Sequence, residues 1–171
     1  MRDVPFKKLL IANRGEIAIR IARAAAELGI ATAAVYSTDD ATSLHVRKVD
    51  EAFALDRAGA AAYLDIERIV AVAKEAGCDA IHPGYGFLSE NATLARRAAE
   101  EGITFVGPSP DALQLFGDKI AARKLAAKVG VPVIEGTVGT TSLEDAQAFF
   151  AKLNGAAMMI KAVSGGGGRG M

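Results

Sequence analysis

The chain has 171 residues, which is room for one full domain and the start of another. Its hydrophobic fraction is 51% and its charged fraction 23%, with 20 Lys+Arg balanced by 20 Asp+Glu, so it lacks the basic excess that a nucleic-acid or anionic-membrane surface requires. No apolar run approaches a membrane span, there is no secretory h-region, and the single cysteine, Cys78, has no internal disulfide partner, all of which fits a reducing, cytoplasmic setting.

Lys7-Lys8-Leu9-Leu10-Ile11-Ala12 reads as a short buried strand. Asn13-Arg14-Gly15-Glu16 follows as a tight turn, and a helix is predicted over 17–28, with Ile17, Ile21, Ala24 and Leu28 on one face. Arg20, Arg23 and Glu27 form a stripe on another face, which spacing alone reads as solvated surface. Gly29 closes the helix, and 31–36 returns as a second strand. A further short strand is predicted over 50–55.

The same grammar repeats. A helix over 66–76 ends at Gly77 and hands over to a strand at 79–81, and a helix over 92–101 ends at Gly102 and hands over to 103–106. Helix, glycine and strand in series imply parallel strands joined by right-handed crossovers, hence an α/β sheet. Function in such sheets collects at the carboxyl ends of strands. Two polar loops sit there: Asn13-Arg14-Gly15-Glu16, and the stretch from His82 to Asn91. In the second, Pro83, Gly84 and Gly86 fix an unusual backbone path. Tyr85, Phe87, His82 and Glu90 add aromatic, titratable and acidic groups. His82 before a proline fits a structural hydrogen-bonder better than a catalyst, and the two aromatics are also compatible with a core role. Cys78, between a helix and a strand, reads as a small packed residue.

Gly107-Pro108-Ser109-Pro110 marks a composition break. A short helix is predicted over 111–116, then one over 119–129 with Asp118 as N-cap. Lys119 falls in the first turn, where a cation opposes the helix dipole; it is either surface charge or a contact for an anion. After a helix over 143–153, Asn154-Gly155 leads into a predicted strand over 157–162 that carries Lys161. The chain then runs into Ser164-Gly165-Gly166-Gly167-Gly168-Arg169-Gly170-Met171. Such a loop can turn its amide N–H groups onto phosphate, with Lys161 and Arg169 adding positive charge. It is not a P-loop, since Gly170 is followed by Met171, and it does not fit the dinucleotide fingerprint.

Taken together, Ile11-Ala12-Asn13-Arg14-Gly15-Glu16-Ile17-Ala18, the stretch from His82 to Asn91, Gly117-Asp118-Lys119 and the stretch from Lys161 to Met171 closely resemble, in this order and spacing, the N-terminal part of biotin carboxylase. That is the ATP-grasp component shared by acyl-CoA carboxylases, pyruvate carboxylase and their relatives. The likeness covers essentially the whole chain. One departure is Glu135, where a proline is expected, in a loop outside the chemistry.

The resemblance implies a Rossmann-like parallel-sheet pre-ATP-grasp domain over 1–107, a helical linker over 108–134, and the first half of an ATP-grasp lid over 135–171. It implies a ligase that uses ATP, magnesium and bicarbonate to carboxylate biotin held on a carrier domain, working with a carboxyltransferase. By position Lys119, Lys161, Gly167 and Gly168 match ATP-binding residues. Tyr85 and Gly86 match residues beside the biotin ring. Arg20, Arg23 and Glu27 match a face used for dimer contacts, implying a homo-oligomer. The metal-binding carboxylates, the catalytic arginine and the bicarbonate-binding groups of the family lie further along than residue 171, so the chain is expected to be a fragment without turnover of its own. Two competing readings are another ATP-grasp ligase, such as a carbamoyl-phosphate synthetase-like protein, and a non-catalytic dimerisation or docking module. The acceptor of the carboxyl group is not written in these residues.

Overall fold

A computed structural model describes residues 6–137 and 139–162. The chain divides into two compact units, one through Leu113 and one from Gln114 onward.

The first unit is built on a five-stranded parallel sheet. Its strands are β1 (Lys8–Ile11), β2 (Ala31–Tyr36), β3 (Glu51–Ala54), β4 (Ala80–His82) and β5 (Thr104–Phe105), in spatial order β3-β2-β1-β4-β5. Every pairing is parallel, as the helix–glycine–strand series predicts. Alternation along β1 explains why the sheet is covered on both sides. Leu9 and Ile11 pack with α1 (Gly15–Glu27), whereas Leu10 and Ala12 join the core under α2 (Ile66–Glu75) and α3 (Ala92–Glu100).

The register of this sheet is pinned by side chains at its edges. The Asp79 carboxylate accepts from the backbone N–H groups of Lys7 and Lys8 at 2.8–3.0 Å. Asp50 accepts from the N–H and hydroxyl of Thr32 at 2.7 and 2.8 Å.

The buried face of α1 differs from the predicted one. Ala18, Ile21, Ala22 and Ala25 are buried, whereas Ala24 is exposed and Leu28 is 58% exposed. Three alanines let the helix lie close on the sheet, and this small-residue seam governs its rotation more than the larger Leu28 does. Cys78 is buried, and burial pushes its thiol up to about 11, which fits a packed residue.

The division of the chain falls within α4 (Pro110–Gly117). The second unit carries α5 (Lys119–Lys128) and α6 (Leu143–Lys152). Asp118 caps α5 by accepting from Ile120 and Ala121 N–H, and Ser142 and Asp145 form a reciprocal capping box on α6. Among the described residues from Gln114 onward none is buried, so these helices rest on their caps and local propensity. The strand predicted over 157–162 is a correction: this segment is irregular, because no described segment supplies the ladder partner that an apolar run by itself cannot provide.

Candidate functional site

Strand order reverses between β1 and β4, and both neighbouring connections leave from their carboxyl ends there. Two strands whose crossovers depart in opposite directions leave a crevice between them, the usual place for ligands in open parallel sheets. Asn13 and Arg14 follow β1 at this point, and Pro83 to Asn91 follow β4. The two loops are joined at their base by a bond from Ala12 N–H to the His82 carbonyl at 2.9 Å.

Asn13 holds the β4 loop directly. Its side chain is 3% exposed, and its amide nitrogen donates to the carbonyls of Pro83 at 2.6 Å and Tyr85 at 2.9 Å. Gly84, between those carbonyls, has φ +67°, and a Cβ placed there would lie 2.7 Å from the Asn13 amide nitrogen. A glycine is therefore required on both conformational and steric grounds. The His82 ring accepts from Gly84 N–H at 3.0 Å, and burial lowers its pKa below 6.5, so it holds the turn as a neutral ring.

Arg14 holds the other side of the loop. Its guanidinium carbon lies 5.6 Å from the centre of the Tyr63 ring and 5.8 Å from that of Phe87, and the two rings stack at 5.0 Å. Arg14 is in turn fixed by Asp40 at 3.0 Å. Burial disfavours the Asp40 charge, but hydrogen bonds from Arg14, Tyr63, Ser43 and Ser37 outweigh it and bring the carboxyl down to about 2. Asp40, Tyr63 and Ser37 were not singled out from the sequence. They lie in two irregular, 3-10-turned connections, 37–47 and 60–64, where no periodicity marks them.

The clamp leaves Tyr85 63% exposed at the loop crest beside exposed Gly86, while Phe87 is packed. Of the two aromatics, one is therefore core and one is surface. Arg20, Arg23 and Glu27 are all exposed on α1, with Arg20 3.6 Å from Glu16. Arg20 and Arg23 also line a shallow pocket of about 440 Å³ with Ser43 and His45. His45 is 1% exposed, and neither ring nitrogen makes a hydrogen bond. In the second unit, Lys119 opens α5 and is exposed, and Lys161 is exposed in the irregular segment 157–162. Gly167 and Gly168 lie outside the described residues. Among the described residues no group of three or more His, Cys, Asp or Glu could hold a metal ion, and no helix is long and apolar enough to cross a membrane.

Residues 5–113, which carry the clamped loop, match the family described as "Biotin carboxylase, N-terminal domain". The chain belongs to the biotin carboxylase family. Residues 118–171 match "Carbamoyl-phosphate synthase L chain, ATP binding domain". Among curated relatives, the pyruvate carboxylase of Staphylococcus aureus is 58% identical over 167 residues, covering 96% of this chain and 14% of that protein. The biotin carboxylase of Halalkalibacterium halodurans is 52% identical over 167 residues, covering 97% of this chain and 37% of that one. Among solved structures, the biotin carboxylase domain of a single-chain bacterial carboxylase superposes with a TM-score of 0.85 at 58% identity, covering 88% of this chain and 35% of the other. The biotin carboxylase domain dimer of Hydrogenobacter thermophilus 2-oxoglutarate carboxylase, solved with MgADP and bicarbonate, gives 0.87 at 46% identity, over 96% and 36%. The chain thus spans about a third of these biotin carboxylases and a much smaller share of the pyruvate carboxylases. The α/β parallel sheet and the family follow the sequence reading.

Proposed function

We propose that this chain forms the N-terminal part of a biotin carboxylase that uses MgATP and bicarbonate to carboxylate biotin on a carrier domain, as the first step of an acyl-CoA or pyruvate carboxylase. The observation that carries the proposal is the loop after β4. At the switch point of the sheet it is clamped from beneath by Asn13 and Arg14, and it offers an exposed aromatic face at Tyr85 and open backbone at Gly86. The planar ureido ring of biotin fits an aromatic face and backbone polar groups without needing a charged partner. The domain reading is a pre-ATP-grasp domain over 1–107, a helical linker over 108–134 and the first half of the lid over 135–171. The division of the chain after Leu113 supports a boundary in this neighbourhood.

For ATP, the donor set fits polyphosphate. Lys119 and Lys161 are exposed cations, and the glycines at 167 and 168 are of the residue type that brings backbone N–H groups close to an anion. ATP supplies the phosphoryl group that activates bicarbonate. The lysines bind and orient its phosphates. Magnesium finds no cluster of carboxylates among the described residues, so its ligands are sought elsewhere in the enzyme. Arg20, Arg23 and Glu27, exposed on α1, serve as a homodimer face; that the Hydrogenobacter domain is a dimer supports self-association, not this face in particular. A biotin carboxyl carrier and a carboxyltransferase are the partners, in the cytoplasm.

ATP cleavage by the carboxylase polypeptide that carries this segment tests the reading. Biotin together with bicarbonate should raise the rate, and Lys161→Gln should raise KM for ATP. Cleavage that ignores biotin but responds to an ammonia donor would favour the carbamoyl-phosphate synthetase-like alternative, which the match of 118–171 keeps in play.

A further inference from the structure

Three of the four residues 84–87 have positive φ: Gly84 at +67°, Gly86 at +68° and Phe87 at +39°. For the two glycines this is ordinary. For a bulky aromatic it is a strained conformation that persists only where the surroundings hold it. Asn13 grips the near side of the loop through the Pro83 and Tyr85 carbonyls but does not reach Phe87. Phe87 packs against the core under α2 and α3, and its ring is met by the Tyr63 ring on one side and the Arg14 guanidinium near its face.

An arginine on a flexible stem does not hold a ring in place unless its own position is fixed. Asp40 fixes it. Oδ2 accepts from Arg14 Nη1 at 3.0 Å, Tyr63 OH at 2.8 Å and Ser37 Oγ at 3.1 Å, and Oδ1 accepts from Ser43 Oγ at 2.9 Å. Tyr63 OH also accepts from Ser37 N–H at 3.1 Å, which locks the ring against the end of β2. The carboxylate therefore binds both members of the aromatic and guanidinium set that presses on Phe87. It does so through four donors, Ser37 and Ser43 from its own connection and Arg14 and Tyr63 from distant ones, which leaves little freedom to any of them.

We infer that Asp40 is a positioning residue for the loop after β4: by fixing Arg14 and Tyr63 against Phe87 it sets the backbone that presents Tyr85 and Gly86. The inference rests on the reading that those two residues line the biotin ring, and it extends that reading to a residue that never touches the ring. A flat guanidinium is part of the device, so charge alone at position 14 does not suffice.

The test uses two variants. Asp40→Asn keeps the shape and an acceptor but loses the charge, and Arg14→Lys keeps the charge but loses the planar contact. Hydrogen exchange on the 171-residue chain should speed up in 84–91 roughly tenfold beyond the common rise that lower global stability gives β1, β2 and β4. In the carboxylase polypeptide, KM for free biotin should rise roughly tenfold, with KM for ATP within about twofold. Unchanged exchange in 84–91 in both variants overturns the inference. So does a rise in 84–91 no greater than the rise across the sheet, because the network then merely supports the fold. A loosened loop with an unchanged KM for biotin overturns the biotin-pocket assignment of Tyr85 and Gly86 while leaving the hold of Asp40 on the loop intact.

Discussion

Gly84→Ala tests the clamp at its tightest point. The added Cβ would meet Asn13 at 2.7 Å from Nδ2, 3.1 Å from Cγ and 3.2 Å from Cβ, so the buried amide must move. Moving it breaks the bonds to Pro83 and Tyr85, and leaving buried groups unpaired costs about 1–3 kcal/mol. The positive φ adds about 1 kcal/mol for any residue with a Cβ. The sum is about 3 kcal/mol. Gly86→Ala provides the control, because its φ of +68° is nearly the same but nothing lies within 4 Å of its Cβ. It should cost only the conformational part, about 1 kcal/mol. In thermal unfolding of the chain followed by circular dichroism, Tm should fall by roughly 10 °C for Gly84→Ala and by roughly 3 °C for Gly86→Ala. Asn13→Ala combined with Gly84→Ala should be less damaging than the two costs added, with a coupling of about 1 kcal/mol or more, since the clash partner is gone. Equal effects of the two glycine substitutions, or strict additivity of the pair, would refute the clamp.

Three further outcomes follow from the same structure. Burial, more than the opposing influence of the Asp40 charge, lowers the His45 pKa below 6.5, so the unfolded chain takes up a proton that the folded one resists. Stability is then full above pH 6.5 and lost as pH falls below it. His45→Leu should shrink that slope in urea unfolding at pH 7.5 and 5.5, leaving only the share of His82; an unchanged slope would contradict it. Asp40 falls from 3.8 to about 2 on folding, a difference worth on the order of 2 kcal/mol that is present above pH 4 and lost as pH falls towards 2. Acid titration should therefore show Asp40→Asn weakening the protein at pH 7 but scarcely at pH 2; equal weakening at both would contradict it. Cys78, buried and pushed up to about 11, should resist iodoacetamide at pH 7.5 until urea unfolds the chain, and mass spectrometry would expose the contrary result as rapid labelling of the native protein.

The sheet was legible because each helix ends in a glycine and runs into an apolar strand, a signal carried by neighbouring residues. The rotation of α1 was not, because its seam is made of Ala18, Ala22 and Ala25, which hydropathy ranks below the Leu28 that stays outside. Nor was the irregular course of 157–162, where the apolar run predicts a strand, since pairing depends on a second segment and not on the run itself. At the site, Asn13, Arg14, Tyr85 and Gly86 stood out as polar or glycine-rich loop residues at strand ends. Asp40 and Tyr63 did not. They meet Arg14 across sequence separations of 26 residues and more, from segments with no periodic pattern, and only folding brings Arg14 and Tyr63 onto the carboxylate that Ser37 and Ser43 bond locally.

Transfer of label from bicarbonate reports carboxylation of biotin itself. The carboxylase polypeptide that carries this segment, given isotope-labelled bicarbonate, MgATP and free biotin, should place label in acid-labile carboxybiotin only when ATP is present. Lys161→Gln should reduce that transfer at limiting ATP. ATP cleavage with no label in biotin, or label recovered instead in a carbamoyl product when ammonia is supplied, would rule out a biotin carboxylase.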